Sequence, residues 1–296
     1  MKHFLMITNI YKDAELRLTE GIKAYIEQKG GTCVCMTGTG EETGDTPSMA
    51  ERAPRDIECV LVLGGDGTLI RAAAALVGRN LPLIGVNLGT LGYLCELEEG
   101  SVFAAIDQLM EDRYIVEERM MLTGHGCNES ECNALECNAP RGMTKNIALN
   151  DIVIHRTGAL SVISLIVYVN GEYLNTFRAD GIIISTPTGS TGYNMSAGGP
   201  IVDPKAEMIL ITPINAHNLN SRSIVIGAED EIVVEIGKRR SQRDETAEVS
   251  FDGDSAVKLG VGDRFFVGRA KDTALICKIS RKSFLEILSK KMQTYT

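Results

Sequence analysis

Apolar runs alternate with amphipathic stretches over the first third of the chain. Helical patterns, such as those over 13–29 and 101–112, carry their apolar residues on one face. Strand-like runs separate these patterns, at residues 4–8, 32–36, 57–63 and 81–86. This alternation predicts a Rossmann-like α/β domain with a parallel sheet over residues 1–118.

The pattern changes after residue 118. Short segments with period-two alternation follow one another, and Asn170-Gly171 between two of them is a hairpin signal. An all-β second domain is therefore predicted over residues 119–280. A helical pattern returns at 283–292, which predicts a C-terminal helix, within 281–296, that packs back on the first domain.

Composition narrows the class of protein. The 296 residues are 44% hydrophobic and 23% charged, as in soluble globular proteins. Neither an apolar run long enough for a membrane span nor a basic-then-apolar leader is present, so we expect no membrane partner. The net charge of −9 without a basic block argues against a nucleic-acid partner. Cysteines in apolar, strand-like runs favour a reduced, cytoplasmic protein.

One segment fits neither predicted domain. It carries His125, Cys127, Cys132 and Cys137, with the cysteines five residues apart. A zinc site is conceivable, although the closely spaced cysteine pair of structural zinc motifs is missing. The alternative, which the spacing favours, is an exposed hairpin tip.

A strand-to-helix turn carries the first candidate chemistry. The apolar run 60–63 ends at Gly64-Gly65-Asp66-Gly67-Thr68, and a helical pattern begins at once. The glycines allow positive φ and close approach of a ligand, while the helix directs unpaired N–H groups toward it. The turn thus suits a phosphate ester beside a carboxylate base. Alternatively, Asp66 merely caps the helix.

A second glycine-bearing loop follows the next predicted strand, as Asn87-Leu88-Gly89-Thr90-Leu91-Gly92-Tyr93. Ligands of parallel α/β sheets lie at the carboxyl ends of strands. The two loops are therefore predicted to line one crevice.

The predicted β domain has its own polar cluster. Asp180 precedes an apolar strand, and residues 185–200 then combine glycines and hydroxyls with few aliphatic side chains. Upstream, Asn150-Asp151 places an amide and a carboxylate at the start of a strand. An amide can pair with a base or a ribose, and a carboxylate can accept from ribose hydroxyls. We expect these segments to hold a polar ligand.

Together these motifs resemble the NAD kinases from about residue 57 to 255. Diacylglycerol and sphingosine kinases, and more distantly phosphofructokinases, share the glycine-aspartate turn, but the 180–200 stretch separates the chain from them. The resemblance implies transfer of the terminal phosphoryl group of ATP to the 2′-hydroxyl of the adenosine ribose of NAD. A lipid or sugar kinase and a non-catalytic dinucleotide-sensing module are the alternatives.

The resemblance also implies roles for residues of the first domain. Asp66 corresponds to the catalytic base, with Gly67 beside the dinucleotide. Arg71 matches a basic position that faces the substrate in some members, and Tyr93 an aromatic position against the adenine.

Further roles fall on the predicted β domain. Asn150 and Asp151 match an Asn-Glu pair that binds the adenine side and a ribose, with Asp here shortening the reach by one methylene. Arg178 and Asp180 match residues near the nicotinamide end, and His217 a stretch near the site. Asp254 stands where many members have Gln, and Gly192 where Ala is usual. The enclosing loop comprises Thr191, Gly192, Tyr193, Asn194, Met195 and Ser196.

The resemblance implies ATP as donor and a divalent ion, Mg²⁺, that bridges the donor phosphates without a dedicated set of protein ligands. No Walker A lysine motif is present, so the glycine-turn N–H groups are expected to hold the donor. A homodimer or homotetramer formed through the β domains is expected.

Overall fold

A computed structural model describes residues 1–37, 48–89, 92–127, 146–158, 162–217, 221–238, 246–280 and 282–294. The chain divides into two compact units. The first unit comprises Met1–Arg119 and Asp272–Thr296, and the second comprises Met120–Lys271. The first unit thus includes residues 272–280, which the sequence pattern had assigned to the β domain.

The first unit is built from alternating strands and helices. Its elements are β1 (His3–Thr8), α1 (Arg17–Gln28), β2 (Thr32–Thr37), α2 (Met49–Arg52), β3 (Cys59–Gly64), α3 (Asp66–Ala75), β4 (Leu83–Asn87), β5 (Leu97–Glu98) and α4 (Val102–Met110). Strand β6 (Ile115–Cys127) then leads into the second unit.

The strands of the first unit pair in parallel, in the order β2-β1-β3-β4, and β5 pairs with β4. All six residues of β3 are buried, as expected of a strand covered on both faces. Helices α1 and α4 contribute Ile22, Ile26 and Ile106 to the same apolar cluster. Because β1 has β2 on one side and β3 on the other, the strand order reverses direction between β1 and β3.

The second unit is antiparallel. Its elements are β7 (Ile147–Ala148), β8 (Asp151–Arg156), β9 (Ile163–Val169), β10 (Glu172–Ala179), β11 (Gly181–Ser185), α5 (Tyr193–Ser196), β12 (Met208–Ile214), β13 (Ile224–Gly227), β14 (Ile232–Ile236), β15 (Ala247–Phe251), β16 (Asp254–Leu259) and the first half of β17 (Arg264–Lys278). One sheet has the order β13-β12-β11-β8-β15-β16, and β10-β9-β14-β17 belong to the other.

Apolar side chains of both sheets form one core, which includes Phe177, Phe251 and Phe265. The predicted Asn170-Gly171 hairpin joins β9 to β10, with φ of 51° and 79° at its two residues. Positive φ at both positions is what a two-residue hairpin turn of this kind requires.

Helix α6 (Phe284–Thr294) belongs to the first unit, which confirms the predicted return of the chain. The Glu96 carboxylate anchors the segment before the helix. It pairs with Lys278 Nζ at 3.0 Å and accepts the backbone N–H groups of Ile279 and Ser280 at 3.3 and 2.6 Å. The Lys291 ammonium lies 4.0 Å from the centroid of the Tyr93 ring.

The cysteines follow the sequence prediction in part. Cys33, Cys59 and Cys277 are buried free thiols, whereas Cys35 is free but exposed on β2. Cys127 is disulfide-bonded, so the expectation of reduced thiols is wrong at that position. The rest of the cysteine-bearing segment, 128–145, lies outside the described residues. Among the residues that are described, no helix combines the length and the apolar character of a membrane span.

Replacing Glu96 by Gln is expected to destabilise the first unit. The Glu96 side chain is 2% exposed, so Glu96→Gln leaves the Lys278 ammonium, itself 12% exposed, without its charge partner. Breaking a buried ion pair in this way costs about 3 kcal/mol. Urea denaturation measures the loss, with Glu99→Gln, an exposed carboxylate nearby, as the control. Equal stability of the two variants would contradict the assignment of Glu96 as an anchor.

Candidate active site

The glycines of the first turn supply space rather than unusual backbone conformation. None of Gly64, Gly65 and Gly67 has a positive φ, contrary to the expectation from the sequence. Gly65, the N-cap of α3, is extended with φ −164°. A Cβ on Gly64 would lie 2.3 Å from Thr68 Oγ1, so the turn closes only without a side chain there.

Asp66 is the first residue of α3, but its carboxylate faces the second glycine loop. It accepts hydrogen bonds from the backbone N–H groups of Tyr93 at 2.6 Å, Leu94 at 3.2 Å and Cys95 at 3.0 Å. The helix has no side-chain cap, so the capping alternative for Asp66 is wrong. The Cys95 side chain also hydrogen-bonds to this carboxylate, which adds a thiol to the three backbone donors.

Gly92 allows this contact. A Cβ at residue 92 would lie 1.9 Å from Asp66 Oδ1, so no other residue fits without moving the carboxylate. The two glycine-bearing loops predicted to line one crevice therefore meet at the Asp66 carboxylate. The pKa of the neighbouring Cys95 thiol is raised, first by burial and then by the negative charge of Asp66, which keeps the thiol protonated.

Arg71 and Tyr93 have different surroundings near the glycine turn. Arg71 lies one helical turn beyond Gly67, with Nη1 4.0 Å from the position of a Cβ on Gly67. Its guanidinium has no hydrogen-bond or ion-pair partner within the described part of the chain. The Tyr93 ring, by contrast, carries the Lys291 ammonium on one face.

In the second unit, the Asp252 carboxylate gathers a matching set of donors. It accepts from the backbone N–H groups of Leu149, Asn150 and Asp151 at 2.8, 2.7 and 3.1 Å. The Asp252 N–H donates in return to the Asp151 carbonyl at 3.0 Å. The start of β8 is therefore fixed by a turn about one hundred residues away in sequence.

The loop after β11 packs against the same residues. A Cβ on Gly189 would lie 2.1 Å from the Asn150 carbonyl oxygen, and one on Gly192 would lie 3.4 Å from Asn150 Nδ2. Asn150 Oδ1 is buried without a hydrogen-bond partner. A cavity of about 430 Å³ opens here, lined by Asn150, Asp151, Val153, His155, Tyr193, Ser250, Asp252 and Gly253.

Two neighbouring carboxyl groups set the electrostatics of this cavity. Burial raises the pKa of Asp151 to about 7, and the negative charge of Asp252 adds to the rise. Burial also raises the pKa of Asp252 to about 6, against the opposing effect of its three backbone hydrogen bonds. Near neutral pH, Asp151 can therefore either donate or accept a hydrogen bond.

Asp180 belongs to a different group of residues in the same unit. Its carboxylate pairs with Arg156 Nε at 2.8 Å and accepts from Asn215 Nδ2 at 3.0 Å. The hydrogen bond from Arg156, followed by that from Asn215, lowers the pKa of Asp180. The exposed Arg178 lies two residues before it, and its carbonyl accepts from the His217 N–H at 2.9 Å.

The enclosing loop divides into inward and outward residues. The buried Asn194 donates to the carbonyls of Ser190 and Pro200 at 3.2 and 3.0 Å and accepts from Thr212 Oγ1 at 2.7 Å. Its side chain thus braces the loop. Tyr193, Met195 and Ser196 are exposed, whereas Thr191 and Gly192 are half-buried.

Both halves of the chain match family models. Residues 5–114 match the ATP-NAD kinase N-terminal domain, and residues 149–279 match the ATP-NAD kinase C-terminal domain. An NAD kinase of Agathobacter rectalis is 57% identical over the full length of both chains. The chain belongs to the NAD kinase family. A second NAD kinase, of Lachnospira eligens, is 41% identical over 99% of this chain and all of its own.

Solved NAD kinase structures share the fold. Yeast NADH kinase complexed with NADH superposes with a TM-score of 0.76 at 22% identity, covering 99% of this chain and 88% of its own. An NAD kinase from Archaeoglobus fulgidus in complex with ATP gives 0.75 at 21% identity, covering 98% and 99%. These structures confirm the predicted fold class. The two family models and the 57% identical relative confirm the predicted activity, and the lipid-kinase, sugar-kinase and sensing-module alternatives are not supported.

The structure adds Asp252 to the residues of the candidate site, whereas the resemblance to the NAD kinases points to Asp254. Asp254 begins β16, is half-buried, and is not among the residues that line the cavity. The signal for Asp252 was Asp252-Gly253, a hairpin turn with φ of 51° and 89°. The turn is visible in the sequence, but the direction of its carboxylate toward β8 is not.

The raised pKa of Asp151 makes stability depend on pH. Because its folded-state pKa of about 7 exceeds the ordinary 3.8, the folded protein binds this proton more tightly. The free energy of unfolding therefore falls as pH rises between those values. Asp151→Asn removes the buried charge and is expected to stabilise the protein by about 1–2 kcal/mol at pH 8 and little at pH 4.

Urea denaturation at the two pH values measures this difference. Glu248→Gln, which removes a half-buried carboxylate from the neighbouring strand β15, is the matched control and should show no such pH dependence. A stabilisation by Asp151→Asn of the same size at pH 4 and pH 8 would refute the assignment.

Proposed function

We propose that Asp66 accepts the proton of the 2′-hydroxyl of the adenosine ribose of NAD as that oxygen attacks the terminal phosphorus of ATP. The observation that carries this proposal is the Asp66 carboxylate at the glycine turn, held in place by three backbone N–H groups. Phosphoryl transfer depends mainly on positioning and charge stabilisation. A carboxylate fixed in this way orients the hydroxyl and receives its proton late in the step.

Asn150 and Asp151 bind the adenosine part of NAD in this proposal. The buried Asn150 Oδ1 lacks a donor, and an exocyclic amine of a base would supply one. Asp151 can exchange a hydrogen bond with a ribose hydroxyl in either protonation state. Gly192, where the family usually has Ala, leaves room beside both side chains.

The remaining predicted residues bind NAD around Asp66 and around the Asn150–Asp151 pair. Arg71 and Gly67 face the substrate, and Tyr93 lies beside the adenine. Arg178 and Asp180 lie toward the nicotinamide end. Thr191, Tyr193, Met195 and Ser196 enclose the ligand, while Asn194 acts through the loop that it braces. Asp254 contributes to the NAD-binding site at the position where other family members have Gln.

The donor is ATP with a divalent ion, for which Mg²⁺ is the natural choice. Within the described residues, no cluster of three metal-ligating side chains exists. Mg²⁺ characteristically binds through substrate phosphates and one or two carboxylates. Asp66 is one carboxylate at the glycine turn, which fits that pattern. The ion, when bound, neutralises charge on the donor phosphates.

Two further features rest on relatives. The yeast and Archaeoglobus structures hold NADH and ATP, which supports both classes of ligand for this chain. The homodimer or homotetramer and the cytoplasmic location predicted from the sequence are retained as proposals.

Asp66→Asn is expected to abolish NADP formation, by at least about 100-fold, while NAD binding stays largely intact. The amide cannot accept the hydroxyl proton. NADP formation from NAD, ATP and Mg²⁺ measures turnover, and isothermal titration measures NAD binding.

The matched control for this variant is Asp56→Asn, which removes an exposed carboxylate of the first unit, 69% accessible. It should keep full turnover. Turnover by Asp66→Asn at the wild-type rate would contradict the assignment of Asp66 as the base. Failure of the wild-type protein to form NADP would contradict the proposed function.

Variants of two asparagines distinguish a residue that binds NAD from a residue that stabilises the enclosing loop. Asn150→Ala is expected to raise the dissociation constant for NAD about 10- to 100-fold without loss of stability, because its buried oxygen has no partner in the protein. Asn194→Ala is expected to lower stability by about 2 kcal/mol, because it breaks three internal hydrogen bonds. Titration of NAD and thermal unfolding of both variants test the pair. The same phenotype for both would contradict the division.

A further inference from the structure

The segment between β1 and α1 leaves the sheet at the point where the strand order reverses, between β1 and β3. Strand β1 has β2 on one side and β3 on the other, and β3 ends at the glycine turn of Asp66. In open α/β sheets, ligands bind at the carboxyl ends of strands where the order reverses. The ligand site expected from the sheet geometry therefore lies between residues 9–16 and the glycine turn.

Two polar residues fix this segment. The Asn9 N–H donates to the Leu63 carbonyl at 2.9 Å, and its amide donates to Thr68 Oγ1 at 3.4 Å. At the other end, the Asp13 carboxylate accepts the backbone N–H of Thr19 at 3.0 Å and its hydroxyl at 2.7 Å. Residues 10–12 are held between the two anchors, although they are exposed.

Lys12 lies over both glycine-bearing loops. Its ammonium donates to the Gly64 carbonyl at 3.3 Å. A Cβ on Gly65 would lie 2.9 Å from Lys12 Nζ, and one on Gly89 would lie 3.4 Å from it. The absent side chains at these two positions thus make the space that the ammonium uses.

The Lys12 charge is not neutralised within the described residues. An ammonium has three donors, and the Gly64 carbonyl takes one. The adjacent Asp13 carboxylate is committed to the start of α1. No carboxylate lies within ion-pair distance of Lys12 in the described ranges. Two donors and a full positive charge are available to an anion at the turn.

We propose that Lys12 binds the terminal phosphates of the ATP donor at the Gly64–Gly67 turn, a role that rests on the proposed function of Asp66. In the transfer, the 2′-oxygen forms a bond to the terminal phosphorus, and the bond from that phosphorus to the bridging oxygen of ADP breaks. The hydroxyl proton passes to Asp66. Lys12 keeps its protons and stabilises the negative charge on the terminal phosphoryl group as it is transferred.

This assignment explains how a chain without a Walker A motif supplies a phosphate-binding cation. The lysine comes from the β1–α1 segment instead of from the glycine turn itself. The expectation that N–H groups alone hold the donor is thereby extended by one side chain.

Lys12→Met tests the proposal, because it keeps the length of the side chain and removes the charge. We expect kcat/KM for ATP to fall about 10- to 100-fold, the loss typical of one hydrogen bond to a charged group. KM for NAD and the melting temperature should stay unchanged. Binding of ATP should weaken more than binding of ADP, since the terminal phosphate is the contact. Lys12→Arg should recover part of the loss.

The matched control is Lys23→Met, which removes a lysine from α1 that pairs with Glu27. It should keep the wild-type value of kcat/KM for ATP. An unchanged value in Lys12→Met, or equal weakening of ATP and ADP, would overturn the role of Lys12 while leaving that of Asp66 intact. Failure of the wild-type protein to form NADP would instead overturn the proposed function.

Discussion

A carboxylate that is partly withdrawn from water needs hydrogen-bond donors, and the described residues of each unit include a carboxylate held by three consecutive backbone N–H groups. Asp66 collects residues 93–95, and Asp252 collects residues 149–151. Each carboxylate thereby fixes a segment that would otherwise be an unrestrained loop. The candidate chemistry lies on or beside these two fixed segments.

The glycines follow from the same demand. Gly92 leaves the volume that the Asp66 carboxylate enters, and Gly189 lets the loop after β11 approach the Asn150 carbonyl. At both positions a Cβ would lie closer than atoms can approach, at 1.9 and 2.1 Å. Gly92 and Gly189 therefore mark close contacts between segments, whereas Gly198, with φ of 84°, adopts a left-handed conformation.

Local patterns predicted what depends on neighbours in sequence. The strands, the Asn170-Gly171 hairpin and the C-terminal helix come from periodicity and turn residues, and the family from motifs. The partners of Asp66 and Asp252 lie about 27 and 102 residues away, and such pairings leave no periodic signal. The position of Lys12 at the glycine turn likewise cannot be read from the sequence, because only the order of the parallel strands brings β1 beside β3.

The central claim is that this protein transfers the terminal phosphoryl group of ATP to the 2′-hydroxyl of NAD. Incubation with ATP labelled at the terminal phosphate, Mg²⁺, and either NAD or 2′-deoxy-NAD tests it most directly. We expect labelled NADP from NAD and no labelled dinucleotide from the deoxy analogue, even at concentrations where the analogue competes with NAD for binding. Label on the deoxy analogue would show that another hydroxyl is the acceptor and would contradict transfer to the 2′-hydroxyl.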